Sequence, residues 1–257
     1  MSEEILVNVT PRETRVAVVE NGMLQELHIE RGWRRGVVGN IYKGRVQRVM
    51  PGMQAAFVEV GLERAAFLHA NDVIRPTQAE ASVAEETPQA TPSIVELLRD
   101  GQEVVVQVVK DPIGTKGARL TTQISIPSRY LVLLPQSRSI GVSARIEDEG
   151  ERQRLKSLVA ELSAAHGGHG YIVRTNAEGQ PAEALAEDIA YLARVWNVVE
   201  RRGRESAAGA IIYEDLSLPL RSVRDLVRRD VEKVRVDSHD TYERLQAFVA
   251  KYMPVLA

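Results

Sequence analysis

The chain has 257 residues, of which 33 are Lys or Arg and 35 are Asp or Glu, so its formal charge at pH 7 is −2. Hydrophobic residues make up 44% and charged residues 26% of the sequence, which excludes collagen-like chains, wholesale disorder and disulfide-rich scaffolds. There is no cysteine, so disulfides, thiolate catalysis and zinc bound by cysteine are excluded within these residues.

Neither a membrane helix nor a signal peptide is predicted. Apolar runs such as residues 131–134 are much shorter than the ~20 residues that cross a bilayer. The first residues contain no basic segment ahead of an apolar one, which a secretory signal would require. We therefore expect a cytoplasmic protein that does not contact a membrane.

The first thirty residues predict a β-meander of three short strands. The dipeptide Asn21-Gly22 joins the second strand to the third, and Asn-Gly is a strong signal for a tight hairpin turn. A sheet this small needs a packing partner to be stable. We therefore expect a later part of the chain to pack against it.

Five short strands are predicted between residues 36 and 124, with one helix ahead of the fourth. This order is typical of a small β-barrel of the OB type. The helix is predicted over residues 94–99, where Ser93 and Glu96 have the spacing of a capping box. Residues 77–93 are rich in Thr, Ala, Glu, Gln and Pro, so we expect them to form a mobile loop inserted in the barrel.

After Pro127 strands and helices alternate, which predicts a compact α/β unit. Residues 155–162 and 185–199 carry the apolar stripe of amphipathic helices. A helix is also predicted over residues 242–253. Another is predicted just before it, where apolar residues recur at helical spacing at Leu220, Val223, Val227, Val231 and Val234.

Two of the three phenylalanines, Phe57 and Phe67, lie on consecutive predicted barrel strands. In an OB barrel the second and third strands form the face on which nucleic-acid bases stack. Alternation places Val58 and Val60 on the side opposite Phe57, which makes the valines the better core candidates. The alternative is that both rings fill the core and the nearby cations form a solvated face. The cations available for phosphates are Lys43, Arg45, Arg48 and Lys116.

Arg174 and Thr175 close a predicted strand and are followed by a loop that contains glycine. A planar guanidinium beside a hydroxyl suits a terminal phosphate, which needs several convergent donors. Most such pairs at strand ends are ordinary surface residues. Spacing alone therefore leaves both interpretations open.

The acidic and histidine residues do not predict a metal site. Magnesium-dependent hydrolysis of phosphodiesters needs two or more clustered carboxylates, and the predicted meander carries no aspartate. His166 and His169 flank two glycines, but a metal pair there lacks a third ligand. The later aspartates fall in predicted turns or helices without a shared face, at positions that include Asp111, Asp148, Asp188, Asp215 and Asp230.

Six short strings match those of a known family, in order and over essentially the whole chain. They are Leu6-Val7-Asn8-Val9-Thr10, Asn40-Ile41-Tyr42-Lys43-Gly44-Arg45-Val46, Ala55-Ala56-Phe57-Val58, Ala66-Phe67-Leu68, Lys116-Gly117-Ala118-Arg119-Leu120-Thr121-Thr122 and Ile172-Val173-Arg174-Thr175. On these strings the chain resembles the amino-terminal half of the bacterial ribonuclease E/G family, most closely its G-type members.

The resemblance implies an α+β multidomain fold. Residues 1–35 and 218–257 would form the two parts of a split RNase H-like subdomain. Between them, residues 36–124 would form an OB-fold RNA-binding domain of the S1 type. Residues 125–217 would form an α/β sensor for the 5′-monophosphate of RNA.

By position, Phe57, Phe67 and Lys116 match family residues that contact RNA. Lys43, on the first barrel strand, is the further RNA-binding candidate. The implied partner is single-stranded RNA with a 5′-monophosphate end.

For the 5′ phosphate, Arg174 and Thr175 match the family pair that receives it, and Val132 matches a packing contact near the terminal base. Two positions depart from the family pattern. Ser128 stands where E-type members have glycine, and Ala144 stands where they have arginine.

The resemblance also implies metals outside the matched region. Family members cut RNA with Mg²⁺ held by aspartates of a DNase I-like subdomain, and they form homodimers through a Cys-Pro-x-Cys zinc link. We therefore expect Mg²⁺ and Zn²⁺ in the full-length enzyme and neither in this chain, which is expected to be inactive alone. Asn8 stands where an active RNase H would need an acid.

The resulting hypothesis is the RNA-binding and 5′-end-sensing portion of a G-type endoribonuclease. Such an enzyme hydrolyses single-stranded RNA in ribosomal-RNA maturation and messenger turnover. Two alternatives stay open from the sequence: a single-stranded RNA-binding module that has no catalytic role, and a purely structural component.

Overall fold

The structure is a computed structural model that describes residues 2–74, 92–227 and 231–254. The chain divides into two compact units, one of residues 1–36 with 216–257 and the other of residues 37–215. No helix in the described ranges is long and apolar enough to cross a membrane. Most of the loop predicted over residues 77–93 lies outside the described residues.

Within the described ranges, strands predominate before residue 128 and helices predominate after it. The strands are β1 (Glu3–Val9), β2 (Glu13–Glu20), β3 (Met23–Arg31), β4 (Ile41–Met50), β5 (Ala55–Glu59), β6 (Ala66–His69), β7 (Glu103–Lys110), β8 (Arg119–Thr121), β9 (Ile126–Pro127), β10 (Leu131–Leu134), β11 (Ile140–Val142), β12 (Gly170–Val173), β13 (Ile211–Tyr213) and β14 (Val231–Val236). The helices are α1 (Ile94–Leu97), α2 (Glu149–Ala164), α3 (Ala182–Glu205), α4 (Leu218–Leu226) and α5 (His239–Tyr252).

The first unit contains a four-stranded sheet of order β14-β1-β2-β3. Its three N-terminal strands confirm the predicted meander, and the turn has positive φ at Asn21 (48°) and Gly22 (80°), as a type I′ hairpin requires. The expectation that a later part of the chain packs on the meander is also confirmed. The core of this unit draws on both ends of the chain, with Ile5, Val7, Val16 and Leu218 among its buried residues.

The predicted helix from Leu220 to Val234 is wrong beyond Leu226. Val231–Val236 form strand β14, which pairs parallel with β1, and residues 228–230 lie outside the described part of the chain. The valines at helical spacing are β-branched, and such residues also favour strands. Because β1 comes from the other end of the chain, local periodicity does not reveal this neighbour.

The second unit contains the predicted OB-type barrel, which the structure confirms. Strands β4, β5, β6, β8 and β7 follow one another in the sheet, and pairing of β4 with β7 closes it. Helix α1 comes ahead of the fourth strand as expected, but it ends at Leu97 and the Ser93 side chain does not cap it. The capping-box prediction is therefore wrong: the Glu96 amide donates to the Ser93 carbonyl oxygen at 2.9 Å, and the Ile94 amide donates to Gln54 Oε1 at 3.0 Å.

The rest of the second unit is the predicted α/β part. A sheet of order β11-β12-β10-β9 packs against α2 and α3, which also contact each other. Strand residues on the covered face are fully buried, whereas Val132 and Ile172 pair on the opposite face and Ile172 is 40% exposed. The covered face is formed by Leu131, Leu133, Tyr171 and Val173.

Candidate nucleic-acid interface

A row of side chains crosses the outer surface of the barrel from β4 to β7. Phe57 of β5 pairs with Arg48 of β4 and with Phe67 of β6. Phe67 pairs with Arg119 of β8, which in turn pairs with Lys110 of β7. Residues directly opposite one another on neighbouring strands share a face of the sheet. We call these five residues the barrel row: two aromatic rings with a cation at one end and two cations at the other.

The two rings of the barrel row are in direct contact and stand outside the core. Their centroids are 6.1 Å apart with the planes at 72°, an edge-to-face geometry that aromatic pairs favour. Both rings are half-buried, while Val58 and Val60 are fully buried on the inner side. The alternative in which Phe57 and Phe67 fill the core is therefore wrong, and each keeps ring surface for stacking.

His69 extends the aromatic surface along β6. Its ring centroid lies 6.4 Å from that of Phe67. The Asn71 amide donates to Nδ1 of His69 at 3.2 Å, so in the neutral ring Nε2 carries the proton and can act as a donor. Sequence reasoning missed this residue, although it follows Phe67 by two positions and so shares its face of the strand.

The two predicted lysines have different surroundings. Lys116 is exposed in the turn before β8, and that turn is anchored beside β6 because the Phe67 amide donates to Ala118 O at 2.7 Å. Lys43 is only 16% exposed and pairs with Glu103 at 3.2 Å, a contact that, with Arg45, lowers the pKa of Glu103. The structure thus brings Lys116 near the strand that carries Phe67. Lys43 instead pairs with Glu103 and precedes Arg48 by five positions on β4.

Arg119 and Lys110 were not singled out by sequence reasoning. The parallel pairing of β6 with β8, about fifty residues apart in sequence, places Arg119 beside Phe67, and no local pattern reveals it. Arg119 also binds Asp72 through Nε at 3.0 Å and Nη2 at 2.9 Å, yet its side chain stays 45% exposed. A half-exposed guanidinium held in place next to a ring is suited to a backbone phosphate.

Arg174 directly follows β12, a strand of the sheet with order β11-β12-β10-β9. Its amide donates to Tyr130 O at 2.8 Å, and its Nη1 donates to Ser128 O and, at 3.4 Å, to Arg129 O. Nε and Nη2 of Arg174 have no partner among the described residues. The guanidinium is thus anchored through one nitrogen and keeps two for a ligand.

Thr175 follows Arg174 directly in the chain, and Val132 lies on β10, two positions after the Tyr130 carbonyl that accepts from the Arg174 amide. Thr175 begins a 3-10 turn that ends at Ala177, and within the described ranges its hydroxyl has no hydrogen-bond partner. Val132 pairs with Ile172, which precedes Arg174 by two positions and therefore shares its face of the strand. The structure thus brings Arg174, Thr175 and Val132 together.

The two positions that depart from the family pattern have contrasting environments. Ser128 is fully buried and donates its hydroxyl to Asp188 of α3. Ala144 is exposed, and its side chain carries no charge that could contribute to phosphate binding beside Arg174.

The loop that follows Arg174 is tied to α2 by Glu151. The Gly179 amide donates to Glu151 Oε1 at 2.9 Å, and Arg154 donates to both oxygens of Glu151 at 2.6 and 2.7 Å. Arg154 also reaches Gln180 O at 3.1 Å. Hydrogen bonds from Arg154 and then from Gly179 lower the pKa of Glu151 from 4.5 to about 2.

We expect Glu151→Gln to loosen this loop. Because the pKa of Glu151 in the folded chain is below its ordinary value, the ionised carboxylate stabilises the fold above about pH 4.5, and that contribution is lost as the pH falls towards 2. An NMR titration of the Glu151 carboxyl carbon should have its midpoint near pH 2. The Gly179 amide should exchange with solvent about tenfold faster in Glu151→Gln.

The matched control for Glu151 is Glu149→Gln in the same turn of α2. Glu149 is 86% exposed and pairs with Arg152 at 3.3 Å, so its substitution should leave exchange of the Gly179 amide unchanged. A midpoint near pH 4.5 for Glu151, or equal exchange in the two variants, would show that the carboxylate does not hold the loop.

The described residues do not fit a metal ion. In the ranges 2–74, 92–227 and 231–254, no three or more His, Asp or Glu side chains are grouped so that they could hold one. Near the C-terminal end of β1, Asn8 donates to Asp237 at 2.5 Å.

Two family profiles match the sequence. The profile of the ribonuclease E/G family matches residues 125–257. The profile of the S1 RNA binding domain matches residues 37–120, which include the barrel and every member of the barrel row.

The sequence is also similar to curated bacterial ribonucleases. It is 55% identical over 255 residues to ribonuclease G of Salmonella typhimurium, a match that covers 99% of this chain and 51% of the relative. Ribonuclease G of Haemophilus influenzae is 50% identical over 254 residues, with the same shares covered. Ribonuclease E of Escherichia coli is 36% identical over 250 residues, which cover 96% of this chain and 23% of that relative. The chain thus spans about half the length of the ribonuclease G relatives it matches.

Proposed function

The chain belongs to the ribonuclease E/G family, and on that premise we propose that it is the RNA-binding and 5′-end-sensing portion of a ribonuclease G-like endoribonuclease. The enzyme would hydrolyse single-stranded RNA in ribosomal-RNA maturation and messenger turnover. The observation that most strongly supports RNA binding is the half-buried, outward-facing pair Phe57 and Phe67, flanked by Arg48 and Arg119 on one face of an S1-type barrel.

On the barrel, bases would stack on the two rings, while the cations at the ends of the barrel row pair with backbone phosphates of the same RNA strand. Each stacked base contributes ~1–3 kcal/mol to the binding free energy. Stacking accepts any RNA sequence, because every base has a π-face. The cations at the two ends of the barrel row, with exposed Lys116, supply the electrostatic part of the affinity. Lys43 would add to this field from β4, with its charge partly offset by Glu103.

At the sensor, Arg174 and Thr175 would receive the 5′-monophosphate. The two nitrogens of Arg174 without a partner and the Thr175 hydroxyl are donors of the kind that a terminal phosphate needs. Val132 would contact the terminal base from the same face. A triphosphate should bind less well, because its extra phosphates need room among donors arranged for one.

We propose the same domain assignment that the resemblance implies. Residues 1–35 and 218–257 would be the two parts of an RNase H-like subdomain, residues 36–124 the RNA-binding barrel and residues 125–217 the sensor. The division of the chain into a unit of residues 1–36 with 216–257 and a unit of residues 37–215 supports it.

We further propose that cleavage depends on residues of longer family members. As the family resemblance implies, the Mg²⁺ and Zn²⁺ of the full-length homodimer would be bound outside the region that this chain matches. With Mg²⁺ added, these 257 residues alone should yield no cleavage product. A metal-dependent product that is lost when a residue of this chain is substituted would contradict this.

The proposed binding is tested by anisotropy titration of a 3′-labelled ten-nucleotide RNA that carries a 5′-monophosphate. The same RNA annealed to its complement is the comparison, at the same salt concentration. We expect the single strand to bind at least about tenfold more tightly, because a duplex hides the ring faces of its bases. Equal affinity for both forms, or no binding of either, would contradict the proposal.

A further inference from the structure

Asp188 of α3 is a buried carboxylate that the proposed RNA contacts do not use. It is 8% exposed, and a buried charge is costly unless hydrogen bonds compensate it. Its Oδ1 accepts from the Ser128 hydroxyl, and its Oδ2 accepts from the amides of Tyr130 and Leu131, each at 3.0 Å. These donors belong to the turn between β9 and β10 and to Leu131, the first residue of β10, so one carboxylate holds the turn at both of its ends.

The same turn anchors Arg174. The carbonyl oxygens of Ser128 and Arg129 accept from Nη1 of Arg174, and that of Tyr130 accepts from its amide. Ser128 and Tyr130 therefore each bind Asp188 on one side and Arg174 on the other. Carboxylate, turn and guanidinium form one continuous hydrogen-bonded chain.

We propose that Asp188 is a positioning residue for recognition of a terminal phosphate: acting through Ser128 and the turn, it fixes the Arg174 guanidinium before RNA binds. The inference rests on the proposed role of Arg174 as the phosphate receptor. Arginine loses considerable rotamer freedom when it is immobilised. A guanidinium that is already held lowers that cost at the moment of binding and so increases affinity.

Ser128 contributes a hydrogen bond that the glycine of E-type family members cannot make. A glycine at position 128 has no hydroxyl, so Oδ1 of Asp188 would lose the hydrogen bond that Ser128 now gives it.

Asp188 also affects Tyr171 of β12. The pKa of Tyr171 is raised to about 12, first by burial and second by the Asp188 charge.

The inference is tested with two single-stranded RNAs that differ only in a 5′-monophosphate or a 5′-hydroxyl, at fixed salt. Asp188→Ala removes both carboxylate oxygens that accept from the turn, and the ratio of the two affinities should fall about tenfold, since hydrogen bonds to a charged group contribute ~1.5–3 kcal/mol. Asp188→Asn should keep the ratio within about threefold, because the amide oxygen can still accept from both backbone amides. Glu183→Ala is the matched control, since Glu183 is an exposed acid in the first turn of α3.

A second variant, Ser128→Ala, keeps the test decisive if Asp188→Ala does not fold. Ser128→Ala removes only one hydrogen bond, and we expect an intermediate fall of about threefold in the ratio. In an Arg174→Ala background, Ser128→Ala should have no further effect on the ratio, because both act on the same phosphate contact. A purely structural role of the turn predicts instead that binding of both RNAs falls equally.

The outcomes separate this inference from the proposed function. If Arg174→Ala removes the monophosphate preference but folded Asp188→Ala and Ser128→Ala keep it, the positioning role is wrong and the sensor stands. If Arg174→Ala keeps the preference, the sensor assignment fails and the inference fails with it. If Asp188→Ala does not fold, Ser128→Ala decides: an unchanged ratio overturns the positioning role.

Discussion

Replacing both Phe57 and Phe67 by alanine should weaken binding of single-stranded RNA by at least about 30-fold. Each stacked base is worth ~1–3 kcal/mol, which corresponds to about a 5- to 150-fold loss for either substitution alone. The rings contact each other at 6.1 Å between centroids, so their contributions should not be strictly additive. Anisotropy titration at fixed salt measures the effect.

Two controls separate stacking from folding in this experiment. Phe57→Leu keeps an apolar side chain on β5 but removes the ring, so it should retain stability while losing most of the stacking. Val95→Ala alters a half-exposed apolar residue of α1 that is not a member of the barrel row, and it should leave RNA affinity unchanged. Unchanged affinity in a folded Phe57→Ala/Phe67→Ala variant would rule out the barrel row as the RNA-binding face.

Arg174→Ala should abolish the preference for a 5′-monophosphate over a 5′-hydroxyl. Hydrogen bonds to charged groups contribute ~1.5–3 kcal/mol, so a preference of about tenfold or more should fall to near unity. The substitution also removes the bonds to the turn at Ser128 and Arg129. Affinity for the 5′-hydroxyl RNA should change little, since the barrel holds that strand.

Arg174→Lys tests whether charge alone is enough. Lysine keeps the positive charge but lacks the planar fork of the guanidinium, so it should recover only part of the preference. Arg138→Ala, at an exposed arginine of the same α/β part, is the matched control and should behave as the wild type. A monophosphate preference that survives in Arg174→Ala would mean that another group receives the phosphate.

The outward orientation of the barrel rings could be predicted from the sequence. Alternation along β5 separates Phe57 from Val58, and the structure places that valine in the core and the ring outside it. The rest of the barrel row could not be predicted in the same way. Arg119 stands beside Phe67 through a parallel pairing of strands that are distant in sequence, and strand register across such a distance leaves no local signal.

The residues proposed to bind the 5′ phosphate are harder to predict from the sequence than the barrel rings. Spacing alone left Arg174 and Thr175 open between a phosphate site and ordinary surface, and the family resemblance singled them out. The sequence pattern places Asp188 among acids of turns and helices that share no face, because its contacts depend on how α3 packs against residues 128–131. Strand β14 was missed for the same kind of reason, since its partner β1 is at the opposite end of the chain.

The most direct test of RNA recognition by this chain maps where the RNA binds. Backbone and side-chain NMR resonances of the 257-residue chain are followed during titration with a short single-stranded RNA that carries a 5′-monophosphate. We expect shifts at the barrel row and at Arg174 and Thr175. With a 5′-hydroxyl RNA, the shifts at Arg174 and Thr175 should be lost while those of the barrel row remain. Shifts confined to other surfaces would contradict both proposed RNA contacts, and identical maps for the two RNAs would contradict the phosphate contact at Arg174 and Thr175.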